Sequence, residues 1–244
     1  MTVHYRTKGF VFKKRDSSEA DRVFSIFTDD FGRLEVTARA IRKINSKLRG
    51  GIDVFSLSEI EFIQGKNQKT LTDATFIKRI NNDKLWKNKI ANLMSDVLDN
   101  FVKGQEKDEK IFQLIESTLN NLNDKVVEEK NSAMVFYYFL WNLLSILGYC
   151  PEINKCVACQ NKLSPDNLYF SNEDGGVMCK DCFNKNNKII RINSDVVKII
   201  RLILNNNWPI VSKIKAEDYS KKLFKDISHN YYSYILSSHK NVLS

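Results

Sequence analysis

The stretch RVFSIFTDDFGRLEVTAR, from Arg22 to Arg39, is the part of the sequence that decides the fold. In its second half, Leu34, Val36 and Ala38 alternate with charged or polar residues, which is the two-residue period of a half-buried strand. The turn DDFG precedes this strand, and the strand-like segment RVFSIFT precedes the turn. The stretch therefore predicts a β-hairpin.

The same pattern continues on both sides of the hairpin. YRTKGFVFKKR lies before it, and DVFSLSEIEFIQG and KTLTDATFIKR lie after it, with glycines at the joints. Five short strands in about eighty residues, with one long connection, are typical of a small Greek-key barrel. We therefore predict an OB-fold barrel over residues 1–80, although an SH3-like barrel has nearly the same pattern.

From residue 81 onward, apolar residues recur at three- and four-residue steps, which predicts amphipathic helices. One of these, from about Lys125 to Leu147, includes most of the apolar run Ala133–Tyr149. A membrane span and a central bundle helix both fit such a run, but its short length and the lack of basic flanks favour the bundle helix. A later helix, SDVVKIIRLILNN, begins with Ser194 as the predicted N-cap.

Four of the five cysteines form two C-x-x-C pairs, in the segments CVAC and CKDC. Two such turns can direct four thiolates at one point, and the predicted ligands of one structural Zn²⁺ are Cys156, Cys159, Cys179 and Cys182. A disulfide is disfavoured in a cytosol, and iron–sulfur clusters usually have other spacings. The remaining Cys150 is predicted to be a buried, small apolar residue.

These patterns predict an α+β multidomain protein with three parts. An N-terminal OB-fold β-barrel binds nucleic acid, a helical domain covers residues 81–149 and 189–244, and a four-cysteine zinc module over residues 150–188 is inserted in the helical part. No signal peptide is visible at the N-terminus, so we expect a cytoplasmic protein.

Positive charge is concentrated in the N-terminal third of the chain. Residues 1–79 contain 16 Lys and Arg against 10 Asp and Glu, and this net +6 is two thirds of the +9 of the whole chain. Five cations without any acid between them follow the hairpin: Arg39, Arg42, Lys43, Lys47 and Arg49. Because such a run on a small barrel suits the backbone of single-stranded nucleic acid, we predict phosphate contacts there; a solvated loop is the alternative.

Two further groups of residues bear on this surface. Four neighbouring cations are included in the predicted nucleic-acid-binding set: Lys13, Lys14, Arg15 and Arg22. Five phenylalanines in the hairpin and the strand before it could stack on bases, but the core is the favoured place for most of them: Phe10, Phe12, Phe24, Phe27 and Phe31.

Sequence signals for catalysis are weak. No nucleophile elbow, P-loop, dinucleotide fingerprint or H-E-x-x-H motif occurs, and the three histidines are close to the termini. The carboxylates of DSSEAD, from Asp16 to Asp21, could hold Mg²⁺ in a nuclease, but the cations beside them favour ion pairs. We therefore expect a binding protein and no enzyme.

The N-terminal segment KGFVFKKRDSSEADRVFSIFTDDFGRLEVTARAIRKINSKLRGGIDVFSLSEIEF resembles the RecO family of bacterial recombination mediators. The matching features are the G-x-V strand, the acidic loop ending in EAD, the FT strand end, the glycine turn and the basic stretch ending at Leu48. The downstream CVAC and YFSNEDGGVMCKDC match the zinc-bearing version of the family. Two positions depart from it: Ala40 stands where Gly is frequent, and Ile44 where Pro is common.

The resemblance implies a DNA repair accessory protein that uses no nucleotide and is associated with the nucleoid. Such proteins bind single- and double-stranded DNA, anneal complementary strands and, with RecR, help RecA to displace the single-strand-binding protein. Their helical part binds the acidic C-terminal tail of the single-strand-binding protein, and their zinc module is structural. An RNA-binding factor for ribosome or tRNA work and a scaffold that binds only protein are the alternative functions.

Overall fold

The computed structural model describes residues 3–80, 84–125, 127–183 and 189–243, without the side chains of residues 240–243. The chain divides into two compact units, residues 1–133 and 134–244. The predicted domain limits, after residues 80, 149 and 188, stay predictions. Two of them adjoin residues 81–83 and 184–188, which lie outside the described residues.

Five strands form the barrel of the first unit: β1 His4–Asp16, β2 Arg22–Thr28, β3 Gly32–Ala38, β4 Ser56–Gln64 and β5 Lys69–Arg79. They close in the order β1-β2-β3-β5-β4, and β3 pairs with β5 in parallel while the other neighbours are antiparallel. This Greek-key closure confirms the predicted OB-fold barrel.

The barrel core consists of the alternating residues that the sequence pattern singled out. Phe24 lies opposite Val36, and Ile26 lies opposite Leu34, in the β2–β3 register. All four are at most 1% exposed, so the apolar face of the hairpin points inward. The β2–β3 turn contains Gly32 at φ +59°, where a side chain would also collide with the backbone of residue 106. The segment after α1 therefore lies directly against this turn.

Two helices complete the described first unit, α1 Leu85–Phe101 and α2 Glu109–Asn123. The carboxylate of Asp108 accepts the amide of Ile111 and caps α2. A side-chain contact joins the barrel to α1: Arg33 on β3 donates to the Asp99 carboxylate at 2.7 Å and to the Val102 carbonyl at 2.9 Å. The guanidinium thereby satisfies a carbonyl at the C-terminal end of α1.

The second unit contains α3 Ala133–Ile146, a sheet of order β7-β6-β8 and three more helices. Its other elements are β6 Leu168–Ser171, β7 Gly176–Met178, β8 Ile189–Ile192, α4 Ser194–Leu204, α5 Trp208–Val211 and α6 Asp218–Leu243. Trp141 of α3 is fully buried, and its indole donates to the Ser228 hydroxyl at 3.0 Å. The apolar helix is therefore a core helix, and none of the described helices has the length and hydropathy of a membrane span.

The structure corrects two helix starts. The apolar helix begins at Ala133 instead of Lys125, because Ser132 donates its hydroxyl to the Glu129 carbonyl and ends a short 3-10 turn there. The N-cap of α4 is Asn193 instead of Ser194, since the Asn193 side chain accepts the Val196 amide at 3.1 Å.

Candidate nucleic-acid interface and metal centre

The basic run forms a loop that is anchored at both ends; we call residues 39–51 the basic loop. Ile41 near its start and Ile52 just after its end are 4% and 3% exposed and belong to the barrel core, and Leu48 packs against that core. Ile44 between them is 92% exposed. The loop is therefore held at its base by apolar packing, while its middle extends into solvent.

The acidic turn between β1 and β2 fixes the first residues of the basic loop. Ala40 has φ +53°, a left-handed conformation that costs a residue with a side chain more than it costs glycine. Its amide donates to the Asp21 carboxylate at 2.8 Å, and the Arg42 amide donates to the Ala20 carbonyl at 3.0 Å. These two bonds hold the turn that starts the loop.

All five cations of the basic loop are exposed, and only one of them has an acidic partner among the described residues. Arg42 lies 3.4 Å from the Asp16 carboxylate. The four others form no ion pair within the described part of the chain: Arg39, Lys43, Lys47 and Arg49. The loop therefore presents four uncompensated positive charges to solvent.

The four cations of the predicted set that lie on β1 and β2 differ from the four unpaired cations of the loop, because each of them has a carboxylate partner. The pairs and their N–O distances are Lys13–Asp99 at 2.8 Å, Lys14–Asp53 at 2.7 Å, Arg15–Glu35 at 3.3 Å and Arg22–Asp16 at 2.7 Å. The hydrogen bond from Arg22 holds the pKa of Asp16 below its ordinary value, so this carboxylate stays ionised and paired. The structure thus divides the predicted nucleic-acid-binding residues into a free set and a paired set.

The phenylalanines of the first two strands and of the turn after them are buried or partly buried, as favoured from the sequence. Phe10, Phe12, Phe24 and Phe27 are 0–3% exposed. Phe31 is partly buried and packs edge-on against Phe62, with ring centroids 5.6 Å apart. The four fully buried rings cannot stack on bases without opening the core.

The four cysteines of the two C-x-x-C pairs come together in the second unit. Their sulfur atoms all lie within 4.8 Å of one another. The first pair is on a turn in which the Gln160 amide donates to the Cys156 carbonyl at 2.9 Å, and the second pair spans the 3-10 turn Lys180–Cys182. Strands β6 and β7 lie between the two pairs in the sequence, and β7 leads directly into Cys179.

The electrostatics of this cluster suit a bound cation. Burial opposes ionisation of Cys156, but hydrogen bonds from the amides of Cys159, Cys179 and Ala158 lower its pKa to about 6. The neighbouring sulfurs, that of Cys159 first, raise the pKa of Cys182 to about 12. Four thiolates this close repel one another, and a cation between them removes that repulsion. The cluster can therefore hold a metal ion through four sulfur donors.

Cys150 does not behave as predicted. It is exposed. Helix α3 ends at Ile146, and Gly148, at φ +91°, turns the chain away from the helix before Cys150. Among the described residues, the group of possible metal ligands contains no histidine. His4 pairs with Glu61 at 2.7 Å, His229 bonds to Tyr137, and His239 bonds to Tyr149.

Sequence reasoning missed one polar feature of the barrel. An open cleft is lined by carboxamide side chains from the β4–β5 turn and from the segment after α1. The sequence QGKNQ, residues 64–68, was the available signal, since it places one amide at the end of β4 and two in the turn that follows.

Comparison with known proteins finds relatives for both the barrel and the helical part of the chain. Residues 1–80 match the family model "Recombination protein O N terminal", and residues 84–243 match "Recombination protein O C terminal". A DNA repair protein RecO of Dehalococcoides mccartyi is 32% identical over 86% of this chain and 82% of its own. The RecO proteins of Desulforamulus reducens and Halalkalibacterium halodurans are 24% and 23% identical over 95% and 93% of this chain, and 90% and 88% of their own.

Proposed function

Because the chain belongs to the RecO family of DNA repair proteins, we propose that it binds and anneals single-stranded DNA and helps to load the RecA recombinase. The DNA on which it acts is coated by single-strand-binding protein. The observation that carries this proposal is the set of four exposed cations on the basic loop that have no acidic partner among the described residues. In this proposal the chain acts in the nucleoid by binding its partners and performs no catalysis.

The physical basis of this proposal is the release of counterions. A polyanion carries condensed cations, and each protein cation that contacts a phosphate releases some of them, which favours binding without regard to sequence. A cation that already pairs with a carboxylate contributes less, because the DNA must compete with its partner. Annealing requires two polyanions to approach each other, and the free cations of the basic loop lower their repulsion.

The partners in this proposal follow from the family. They are single- and double-stranded DNA, RecR, the acidic tail of the single-strand-binding protein and, indirectly, RecA. We place tail binding in the helical part of the chain, separate from the basic loop. A full-length variant in which Arg39, Lys43, Lys47 and Arg49 are Gln should then retain binding of a tail peptide by fluorescence anisotropy. Loss of peptide binding in this variant would make the basic loop the acceptor.

The metal in this proposal is one structural Zn²⁺ held by Cys156, Cys159, Cys179 and Cys182. Four sulfur donors at tetrahedral spacing are the usual ligands of structural zinc. Since protein atoms fill all four positions, the ion has no open position for a substrate and serves to hold the turns of the module together.

A strand-annealing assay on the purified protein tests the function directly. Complementary oligonucleotides should anneal faster with the protein than without it, both bare and coated with single-strand-binding protein. A protein that binds neither strand at low salt would be a scaffold for other proteins. Competition with RNA of the same sequence decides the remaining alternative, because a preference for RNA requires contacts to the 2′-hydroxyl.

A further inference from the structure

The four cysteines of the cluster differ in their exposure to solvent. Cys156 is fully buried, Cys159 is exposed, and Cys179 and Cys182 are partly exposed. The Cys156 sulfur also accepts a hydrogen bond from the Cys179 amide at 3.4 Å. One sulfur is therefore enclosed by the protein, while the three others can be reached from solvent.

An open cavity of about 490 Å³ lies beside the three accessible sulfurs. Cys159, Cys179 and Cys182 line it, and all its other lining residues are polar or charged. Cys156 is not part of its wall. Because a small polar molecule can enter such a cavity together with water, reagents of this kind have access to three of the four sulfurs.

Two of the accessible sulfurs lie close enough to react with each other. The Sγ atoms of Cys159 and Cys179 are 3.9 Å apart. Since a disulfide bond is about 2.05 Å long, the two sulfurs must approach each other by about 1.9 Å to form one. The two residues are 20 positions apart in the sequence and belong to different C-x-x-C pairs. A disulfide between them would therefore cross-link the two turns of the zinc module.

We propose that Cys159 is an oxidation site for hydrogen peroxide and that it then forms a reversible disulfide with Cys179. This inference rests on the proposed zinc centre and adds a redox property to it. The Cys159 thiolate attacks one oxygen of the peroxide, which breaks the O–O bond, releases hydroxide and leaves a sulfenic acid. The Cys179 thiolate attacks that sulfur, forms the S–S bond and releases a second hydroxide. The two thiolates lose two electrons in total, and the peroxide gains them.

This reaction removes two of the four sulfur donors of the cluster. Structural zinc sites are four-coordinate, so Cys156 and Cys182 alone no longer hold the ion, and the module loses the folding free energy of metal binding. Disulfides of this kind are transient in reducing compartments, and reduction restores all four thiolates. Cys150 is exposed as well, but it lies outside the cluster, so no clustered thiolate is placed to resolve its sulfenic acid.

The test uses the full-length, zinc-loaded protein with hydrogen peroxide as the probe. A chromogenic chelator measures zinc release, and peptide mapping by mass spectrometry identifies the disulfide. Because one peroxide oxidises two thiolates, about one equivalent should release one zinc and give Cys159–Cys179 as the main disulfide. Cys156 should stay reduced, and dithiothreitol with added zinc should restore the original metal content.

Two variants test the route and the specificity of the reaction. Ser164 lines the cavity, so Ser164→Trp should slow zinc release about threefold or more by narrowing the access of peroxide, with the zinc content unchanged. Ser237→Trp, on the exposed face of α6, is its matched control and should react as fast as wild type. Cys150→Ser should also release zinc at the rate of wild type.

The outcomes separate this inference from the proposed function. Zinc that is retained in peroxide, or a main disulfide between Cys156 and Cys159, would overturn the oxidation site while leaving the zinc centre and DNA binding intact. Reduced protein without zinc would overturn the zinc centre and this inference with it. An unchanged rate in Ser164→Trp would overturn the cavity as the route. If that variant does not fold, the mapping of wild-type protein still decides which sulfurs react.

Discussion

The Arg33 guanidinium on β3 and the Asp99 carboxylate on α1 form a 2.7 Å ion pair that joins the barrel to its first helix. The two side chains are 15% and 26% exposed, so water screens the pair less than it screens a surface pair. Arg33 also lies 5.2 Å from the ring centroid of Phe12 and donates to the end of α1. A single arginine thus links strand, helix and core.

We expect Arg33→Ala to lower the free energy of unfolding by about 2–3 kcal/mol, because a charged hydrogen-bond donor to two acceptors is lost. Urea titration followed by circular dichroism measures the change. Lys13→Ala is the matched control, since Lys13 pairs with the same carboxylate from a half-exposed position and should cost less than about 1 kcal/mol. Equal losses in the two variants would contradict a special role for Arg33.

The same carboxylate predicts a pH dependence. Burial alone would raise the pKa of Asp99, but the hydrogen bonds from Lys13 and Arg33 outweigh it and hold the pKa below the ordinary aspartate value of 3.8. A carboxylate with a lowered pKa in the folded state contributes stability that is present above 3.8 and is lost as the pH falls through the folded-state pKa. Asp99→Asn should therefore lose less stability than wild type on acidification below pH 3.8, in urea titrations at several pH values. If the free energies of unfolding of wild type and Asp99→Asn fall in parallel as the pH is lowered, Asp99 makes no such contribution to stability.

A second position combines backbone strain with its compensation. Ala40 adopts φ +53° and is held by the Asp21 carboxylate. Ala40→Gly should raise the free energy of unfolding by about 0.5–1 kcal/mol, because glycine removes the left-handed penalty, although it also gains entropy when unfolded. Thermal unfolding measures the shift. Asp21→Ala, which removes the acceptor, should act in the opposite direction, and a destabilising Ala40→Gly would show that the strain is not relieved.

The cysteine cluster predicts one bound zinc per chain. Cys156→Ser/Cys159→Ser should abolish zinc binding and destabilise the module, since a closed site contributes folding free energy. Elemental analysis of freshly purified protein gives the stoichiometry, and limited proteolysis between residues 150 and 183 reports the loss of structure. Cys150→Ser is the control, because Cys150 lies outside the cluster and should leave zinc unchanged. The zinc site would be contradicted if freshly purified wild-type protein contained no zinc, or if the double variant kept its full zinc content.

Local patterns explain why the sequence predicted so much of this protein. The alternation in residues 33–39 involves only neighbouring residues, and it correctly predicted strand β3. The C-x-x-C spacing is equally local, and it correctly predicted that the four cysteines come together. Contacts between distant residues were not predictable in this way. Lys13 and Asp99 are 86 residues apart, and the carboxamide-lined cleft takes its walls from four separate segments. Only the closed barrel brings these groups together, so neither the carboxylate partners of the β1 cations nor the cleft could be predicted from the sequence.

The division of the basic residues into free and paired sets gives the sharpest test of function. One variant neutralises the free set by changing four residues to Gln: Arg39, Lys43, Lys47 and Arg49. The other neutralises the four residues of the paired set: Lys13, Lys14, Arg15 and Arg22. Each variant removes four positive charges. Net charge therefore changes equally, and only the availability of the charges differs. For single strands each phosphate contact contributes about −0.7 to the slope of log K against log salt, so the free-set variant should lose about 2.8 of that slope.

The paired-set variant should lose less than about 1 of that slope, because its cations must leave their carboxylates before they can release counterions from DNA. Affinity at low salt should fall by orders of magnitude in the free-set variant only, and annealing should fall with it. Neutralising the exposed free cations should hardly change the thermal midpoint, which serves as the folding control. Binding titrations at several salt concentrations measure both slopes. If the two variants lose the same amount of the slope of log K against log salt, overall charge governs binding and the basic loop has no specific role. If the free-set variant keeps the slope of wild type, the loop is only a solvated connection.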